Sequence, residues 1–240
     1  MPARAAFIVL AAGSSHRFDG NDKVFAELGG RPVLGYALEA AQHSTSVSHV
    51  VVVCNADQQE RVWDIAATEL TTVGCDVVSG GSTRQGSEVS GLEALSSLIG
   101  AEEIDVVAIH DGARPFATAA LIDDLVETAL RTGTAVPGLE PTDAIWSIDE
   151  HGELLATEKR RLRAVQTPQA CIAKPLLDAY RAAAEDGFDG ADTAATIAAY
   201  AGLPITIVDG DPRNIKITFP DDLERAQPLA AHWRSAAWLS

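Results

Sequence analysis

The chain has 240 residues, 47% of them apolar and 22% charged, and a formal net charge of −16. This composition is ordinary for a globular protein with a substantial core, either one large α/β domain or two small ones. The acidic balance argues against a nucleic-acid or anionic-membrane partner, because a polyanion would be repelled over most of the surface.

The run Phe7-Ile8-Val9-Leu10-Ala11 has the length and composition of a buried parallel strand. It breaks at Gly13-Ser14-Ser15, a small-residue turn, and two cations follow at Arg17 and Lys23. Such a turn brings backbone N–H groups to close range, and cations beside it neutralise phosphate oxygens. The stretch therefore reads as a triphosphate cradle at the C-terminal edge of a first strand. It is not a P-loop, because the Gly-Lys-Ser/Thr ending is missing. It is not a dinucleotide fingerprint either, since Ser15 stands where the second Gly belongs. Taken alone, the same residues also suit an ordinary strand-to-loop turn with two solvated cations.

Pro32–His43 reads as a helix, with Leu34, Ala37, Leu38 and Ala41 on one face. Val47–Cys54 is a β-branched strand, and Ala56–Leu70 a helix. A short strand at Asp76–Ser79 ends at Gly80-Gly81-Ser82-Thr83-Arg84, and Ser87–Ile99 is helical. The strand Asp105–Ile109 ends at His110-Asp111-Gly112-Ala113-Arg114-Pro115. Ala119–Arg131 is a helix, and Thr134–Pro137 a fifth strand. This alternation predicts an α/β fold, a Rossmann-like three-layer sandwich whose mostly parallel sheet carries helices on both faces. The loops after its first, third and fourth strands carry small or charged residues at the edge where such sheets bind ligands.

The pattern changes after Pro141. Ala144–Ile148 and Leu154–Thr157 flank a polar turn and predict a protruding two-strand arm, residues 138–163. The densest basic cluster, Lys159-Arg160-Arg161-x-Arg163, follows; in isolation it reads as a solvated charge run. Val165–Gln169 leads back towards the sheet. Helices at Pro175–Glu185 and Asp192–Tyr200, a strand at Ile205–Val208 and a helix from about Asp221 complete the chain. No linker or repeat interrupts it, so one domain with a protruding arm is expected. Cys54, Cys75 and Cys171 form neither a zinc pattern nor a disulfide framework and read as buried free thiols. No apolar run approaches a membrane span, and MPARAAFIVL leads directly into the first strand, so a cytoplasmic protein is expected.

Six pieces in order carry a resemblance: Leu10-Ala11-Ala12-Gly13; Arg17 with Lys23; Gly80-Gly81-x-x-Arg84-x-x-Ser87; His110-Asp111-x-x-Arg114-Pro115; Gln166-Thr167-Pro168-Gln169; and Asn214-Ile215-Lys216-Ile217-Thr218. Together, from about residue 6 to about residue 227, they resemble the 2-C-methyl-D-erythritol 4-phosphate cytidylyltransferase family of the non-mevalonate isoprenoid pathway. The resemblance implies a Mg²⁺-dependent transfer in which a polyol phosphate attacks the α-phosphorus of CTP and pyrophosphate leaves. It implies that Ala11, Ala12, Gly13, Ser14 and Ser15 hold the nucleotide, and that Arg17 and Lys23 contact its phosphates. Gly81, Ser82 and Ser87 would lie at the cytosine, Asp111 beside the metal, and Lys216 between the reacting phosphates. Thr142, Asp143, Lys159 and Arg160 would serve the acceptor, the last two reaching into the partner's site of a homodimer.

The chain departs from the family's pattern at Ser15 and His16 in the first loop. It departs again at Ala144, where a substrate-contacting Thr is expected, and at Lys159, where Arg is usual. The family's Thr-Asp-Glu-Ala-Ser run appears as Asp192-Thr193-Ala194-Ala195-Thr196. The nucleotide half is thus better preserved than the acceptor half. Ribitol-5-phosphate cytidylyltransferase has the same fold and suits the same motifs. A nucleotide-binding paralogue without activity is the alternative from another class. An NAD-dependent dehydrogenase fails, because Cys54-Asn55 stands where an acidic ribose reader would follow the second strand.

Overall fold

The computed structural model describes residues 4–13 and 22–233. Strand β1 (Ala5–Leu10) lies at the centre of the main sheet. A tight hairpin, β2 (Glu27–Leu28) with β3 (Arg31–Pro32), leads into α1 (Val33–His43). The chain continues through β4 (Val47–Cys54), α2 (Gln59–Glu69), β5 (Gly74–Ser79), α3 (Arg84–Ala94), α4 (Ser96–Gly100) and β6 (Val106–Asp111). Then come α5 (Ala119–Thr132) and β7 (Thr134–Leu139), followed by the arm strands β8 (Trp146–Ile148) and β9 (Leu154–Ala156). The remainder is β10 (Ala164–Val165), β11 (Gln169–Ile172), α6 (Ala173–Glu185), α7 (Thr193–Thr196), β12 (Ile207–Asp209) and α8 (Pro220–His232).

The sheet order is β10-β7-β11-β6-β1-β4-β5, with β12 on β7. β1, β4, β5 and β6 are mutually parallel, whereas β11 runs antiparallel to both β6 and β7. Alternate residues of the central strands enter two separate cores. Phe7, Val9, Val50, Val52 and Ala108 face α1, α2 and α5, and Ile8, Val51, Val53, Val107 and Ile109 face α3 and α6. This is why the strands read as continuous apolar runs: both faces are covered. Each Val, Ile or Phe so buried contributes roughly 1.5–3 kcal/mol. The three-layer α/β expectation is therefore borne out.

Several boundaries differ from the sequence reading. β6 extends through His110 and Asp111, because the polar His110 ring is satisfied inside the sheet layer and need not end the strand. α3 begins at Arg84, where Thr83 caps it by accepting from Gly86 N at 3.0 Å, and it stops at Leu95 before the short α4. The helix expected at Asp192–Tyr200 is α7 followed by a π-helical stretch, Ile197–Ala201. The sequence marks the antiparallel β11 only as a return to the sheet, since four residues opening on Gln169 carry little strand signal. Both arm strands are shorter than expected. The two cysteines Cys54 and Cys171 are buried free thiols, and Cys75 is a half-buried one.

Candidate active site

From β1 the chain steps one way across the sheet to β4 and β5, then returns to place β6 on the other side of β1. The strand order reverses at β1/β6, and open α/β sheets bind ligands outside the strand ends at such a point. Leu10 and Asp111, the last residues of β1 and β6, are paired in register there. A cavity of about 290 Å³ opens above them, lined in part by Ala11, Ala12, Gly13, Lys23, Ser82, Arg84, Ser87, Asp111 and Lys216.

Small residues shape the nucleotide side. A Cβ on Gly80 would lie 2.5 Å from the Ala12 Cβ, and one on Gly81 would lie 2.7 Å from the Gly86 carbonyl carbon. The glycine pair thus lets the β1 loop and the start of α3 approach closely. Lys23 opens a short 3-10 turn, Lys23–Phe25, capped by Asp22. Asp22 also accepts from Gln58 Nε2 at 3.0 Å, which ties this turn to the segment after β4.

Asp111 is the charge centre of the site. Its Oδ2 accepts from Lys216 Nζ at 2.7 Å, its Oδ1 accepts from Arg84 Nη2 at 3.2 Å, and Arg114 Nε lies 3.9 Å away. Burial alone would raise its pKa. Attraction to Lys216 and Arg84, the Lys216 hydrogen bond and attraction to Arg114 outweigh burial, and hold the carboxyl well below the usual range. Asp111 is therefore ionised at any physiological pH.

The two late motifs explain how Lys216 reaches a residue more than a hundred positions earlier. Asn214 Nδ2 donates to Thr167 O at 2.9 Å, and Arg114 Nη1 donates to Asn214 O at 2.7 Å. Gln166 Nε2 donates to Asp211 O at 2.8 Å, and Ile217 N donates to Ala113 O at 2.8 Å. Buried amide groups thus staple the Lys216 segment to the sheet.

His110 lies wholly buried behind Asp111. Its Nε2 donates to Arg114 O at 2.9 Å, since a carbonyl can only accept, which leaves Nδ1 to accept from the Thr167 hydroxyl at 3.1 Å. That hydroxyl in turn accepts from Asp111 N at 3.0 Å. Burial pushes the imidazole pKa down to about 4. The unfolded chain takes up this proton near 6.5, so stability falls as pH drops from about 6.5 to 4, by about 3 kcal/mol in all. Urea unfolding at about pH 7 and pH 5 measures the slope, and His110→Gln is expected to flatten it.

Of the residues singled out from sequence, Ala11, Ala12, Gly13, Lys23, Ser82, Ser87, Asp111 and Lys216 come together in the cavity wall. Gly81 is exposed and does not line the cavity; it packs closely against Gly86. Ser14, Ser15 and Arg17 lie outside the described residues. Thr142, Asp143, Lys159 and Arg160 are exposed at the arm's base and do not line the cavity; Lys159 Nζ donates to Thr142 O at 2.8 Å. Sequence reasoning places Arg84 in a motif without giving it a role, although it touches Asp111. It passes over Asp22 and Glu88 entirely.

Among the described residues no cluster of three His, Cys, Asp or Glu side chains could hold a metal. Mg²⁺ does not require one: it is commonly held by one or two carboxylates, with waters and substrate phosphates completing the octahedron. The ionised Asp111, in the cavity wall, fits that mode.

The protein-family model of 2-C-methyl-D-erythritol 4-phosphate cytidylyltransferase matches residues 5–231. A bifunctional enzyme IspD/IspF of Rhodopseudomonas palustris (strain HaA2) is 40% identical over 231 residues, covering 94% of this chain and 55% of that protein. The protein of the same description from Nitrobacter winogradskyi is 39% identical over 230 residues, covering 95% of the chain and 56% of the relative. The chain thus spans about half the length of these relatives. The solved 2-C-methyl-D-erythritol 4-phosphate cytidylyltransferase of Thermus thermophilus is 30% identical, with a TM-score of 0.74 over 96% of this chain and 100% of that one. The 4-diphosphocytidyl-2C-methyl-D-erythritol synthase of Anaerococcus prevotii, 24% identical, shares the fold with a TM-score of 0.84 over 95% and 96% of the two chains. The chain belongs to the 2-C-methyl-D-erythritol 4-phosphate cytidylyltransferase family.

Proposed function

We propose that this chain transfers a cytidylyl group: the phosphate of 2-C-methyl-D-erythritol 4-phosphate attacks the α-phosphorus of CTP, and pyrophosphate leaves. The observation that carries the reading is the cavity at the β1/β6 switch point, whose wall holds Lys23 together with the anion Asp111 and its two cationic partners, Arg84 and Lys216. A phosphate monoester carries about −1.5 to −2 charges at pH 7, so the nucleophile is already ionised. No general base is needed. His110 agrees with this, because both its ring nitrogens are engaged inside the protein.

The remaining problem is charge, since two anions must meet and a crowded phosphorus must be stabilised. Fixed cations and positioning are the expected solution. Lys23, in the cavity wall, would contact the nucleotide phosphates. Lys216 is held against Asp111, where it can bridge the reacting phosphates. Mg²⁺ held through Asp111 would neutralise phosphate charge. Arg17 completes the cation set, and Ser14 and Ser15 the nucleotide loop.

The acceptor half is proposed to be completed by a twin subunit. The arm exposes Ile145, Trp146, Ile148, Leu154 and Leu155 at 44–67% of their surface. Its two strands form a separate two-stranded sheet, which is marginally stable by itself. A homodimer docked through residues 138–163 would cover these side chains and bring Thr142, Asp143, Lys159 and Arg160 to the other chain's site. Among the described residues no helix is long and apolar enough to cross a membrane. We place the reaction in the cytoplasm, with small anions as its partners rather than nucleic acid or membrane.

Incubation with CTP and Mg²⁺, in parallel with methylerythritol phosphate and ribitol 5-phosphate, tests the reading. Pyrophosphate release with the first acceptor and little with the second is expected. Preference for ribitol phosphate would move the chain to the related activity, and no release with either would leave a nucleotide-binding protein. Lys23→Ala and Arg17→Ala are each expected to lower kcat about 10²–10³-fold, the usual loss when one transition-state contact is removed. A variant with near wild-type kcat/KM would lose its assigned role.

A further inference from the structure

Glu88 plays no part in the chemistry above. It has no exposed surface, it does not line the cavity, and it lies one turn along α3 from Arg84. Three donors converge on it. Arg84 Nη1 and Thr193 Oγ1, the latter at 2.7 Å, reach Oε1, and the Tyr180 hydroxyl donates to Oε2 at 2.9 Å. The other terminal nitrogen of Arg84 donates to Asp111 Oδ1. One guanidinium is therefore shared between two carboxylates, one in the cavity wall and one behind it.

A buried carboxylate is expensive to keep, and an apolar side chain of similar volume is often the more stable choice. The bridge explains what Glu88 supplies. Arg84 carries five N–H donors in a rigid fork that suits a carboxylate or a phosphate bidentately. Free of Glu88, the fork could close on both oxygens of Asp111, in competition with Lys216, or turn onto nucleotide phosphates. With Nη1 held by Glu88, only one nitrogen reaches Asp111, and Oδ2 stays with Lys216.

We propose that Glu88 is a positioning residue, acting through Arg84 to fix the Asp111 carboxylate and to keep the guanidinium in the cavity wall. Thr193, at the start of α7, and Tyr180, on α6, hold Glu88 in turn. The kinetic half of this inference rests on the cytidylyl-transfer reading; the binding half needs only CTP.

Wild type, Glu88→Gln, Arg84→Gln and the double variant form a cycle read by calorimetric CTP affinity, kcat for pyrophosphate release and Tm. Releasing Arg84 strengthens ground-state contact with phosphates while misplacing Asp111. Glu88→Gln is therefore expected to bind CTP about threefold or more tighter and to turn over about tenfold slower, a split that simple loosening of the fold does not produce. In the Arg84→Gln background, Glu88→Gln is expected to change neither quantity and to cost less Tm than it does in wild type, since the buried carboxyl has already lost its charged partner and keeps only Thr193 and Tyr180. Equal factors in both backgrounds, or weaker CTP binding in Glu88→Gln, would overturn the inference. Arg84→Lys keeps the charge but loses the fork, and is expected to lose kcat by a similar factor; wild-type kcat in that variant would also overturn it. If wild type releases no pyrophosphate with either acceptor, the functional reading fails, and the CTP-binding cycle still decides the role of Glu88.

Discussion

Lys216→Ala is expected to lower kcat by about 10²–10³-fold, the range seen when one preorganised contact to a transition state is removed. Lys216 meets Asp111 at 2.7 Å, yet its own side chain is 41% exposed. Its backbone is held independently, through the Asn214 and Ile217 hydrogen bonds. The truncation should therefore remove the charge without releasing the segment, and Tm should move by only a few degrees. Stopped turnover in a folded protein is the expected pairing of results. A near wild-type kcat would take Lys216 out of the reaction, and a large loss of Tm would make its role structural.

The second large effect concerns the shared site. Lys216→Ala supplies an intact arm, and Lys159→Ala with Arg160→Ala supplies an intact cavity. Each is expected to be nearly inactive alone. Unfolded and refolded together, half the dimers should be mixed, and each mixed dimer should contain one intact site. Recovered activity should approach about a quarter of wild type if subunits pair at random. Lys159 is tied to Thr142 O within its own chain, whereas Arg160 is 81% exposed beside Glu158. Arg160→Ala alone is thus expected to account for most of the loss in the arm variant. If the mixture stays as inactive as its components while the subunits demonstrably exchange, the site is built within one chain.

The nucleotide side is legible in the sequence because its signals are local. An apolar strand ending in small residues, a glycine pair before a helix and an acidic residue at a strand end can each be read within a few positions. Their convergence follows from the parallel order of β1, β5 and β6, which the alternation of elements predicts. Glu88 is not legible. A glutamate inside a helix reads as solvent-facing, and only the approach of Tyr180 and Thr193, 92 and 105 positions later, buries it. Arg84 needs the same tertiary information, because its role depends on where β6 delivers Asp111. The end of β6 misleads for a related reason. His110 looks like the start of a polar loop until Thr167 and Arg114 satisfy its ring. The acceptor residues rest on resemblance, and within one chain they remain on an exposed arm.

The claim that the acceptor's own phosphate attacks the α-phosphorus can be measured directly. Methylerythritol phosphate carrying ¹⁸O at its non-bridging phosphate oxygens is incubated with unlabelled CTP, Mg²⁺ and the enzyme, and both products are weighed by mass spectrometry. Every label is expected to stay in the cytidylylated product, and the released pyrophosphate to carry none. Label in the pyrophosphate, or release of CDP in its place, would contradict the claim.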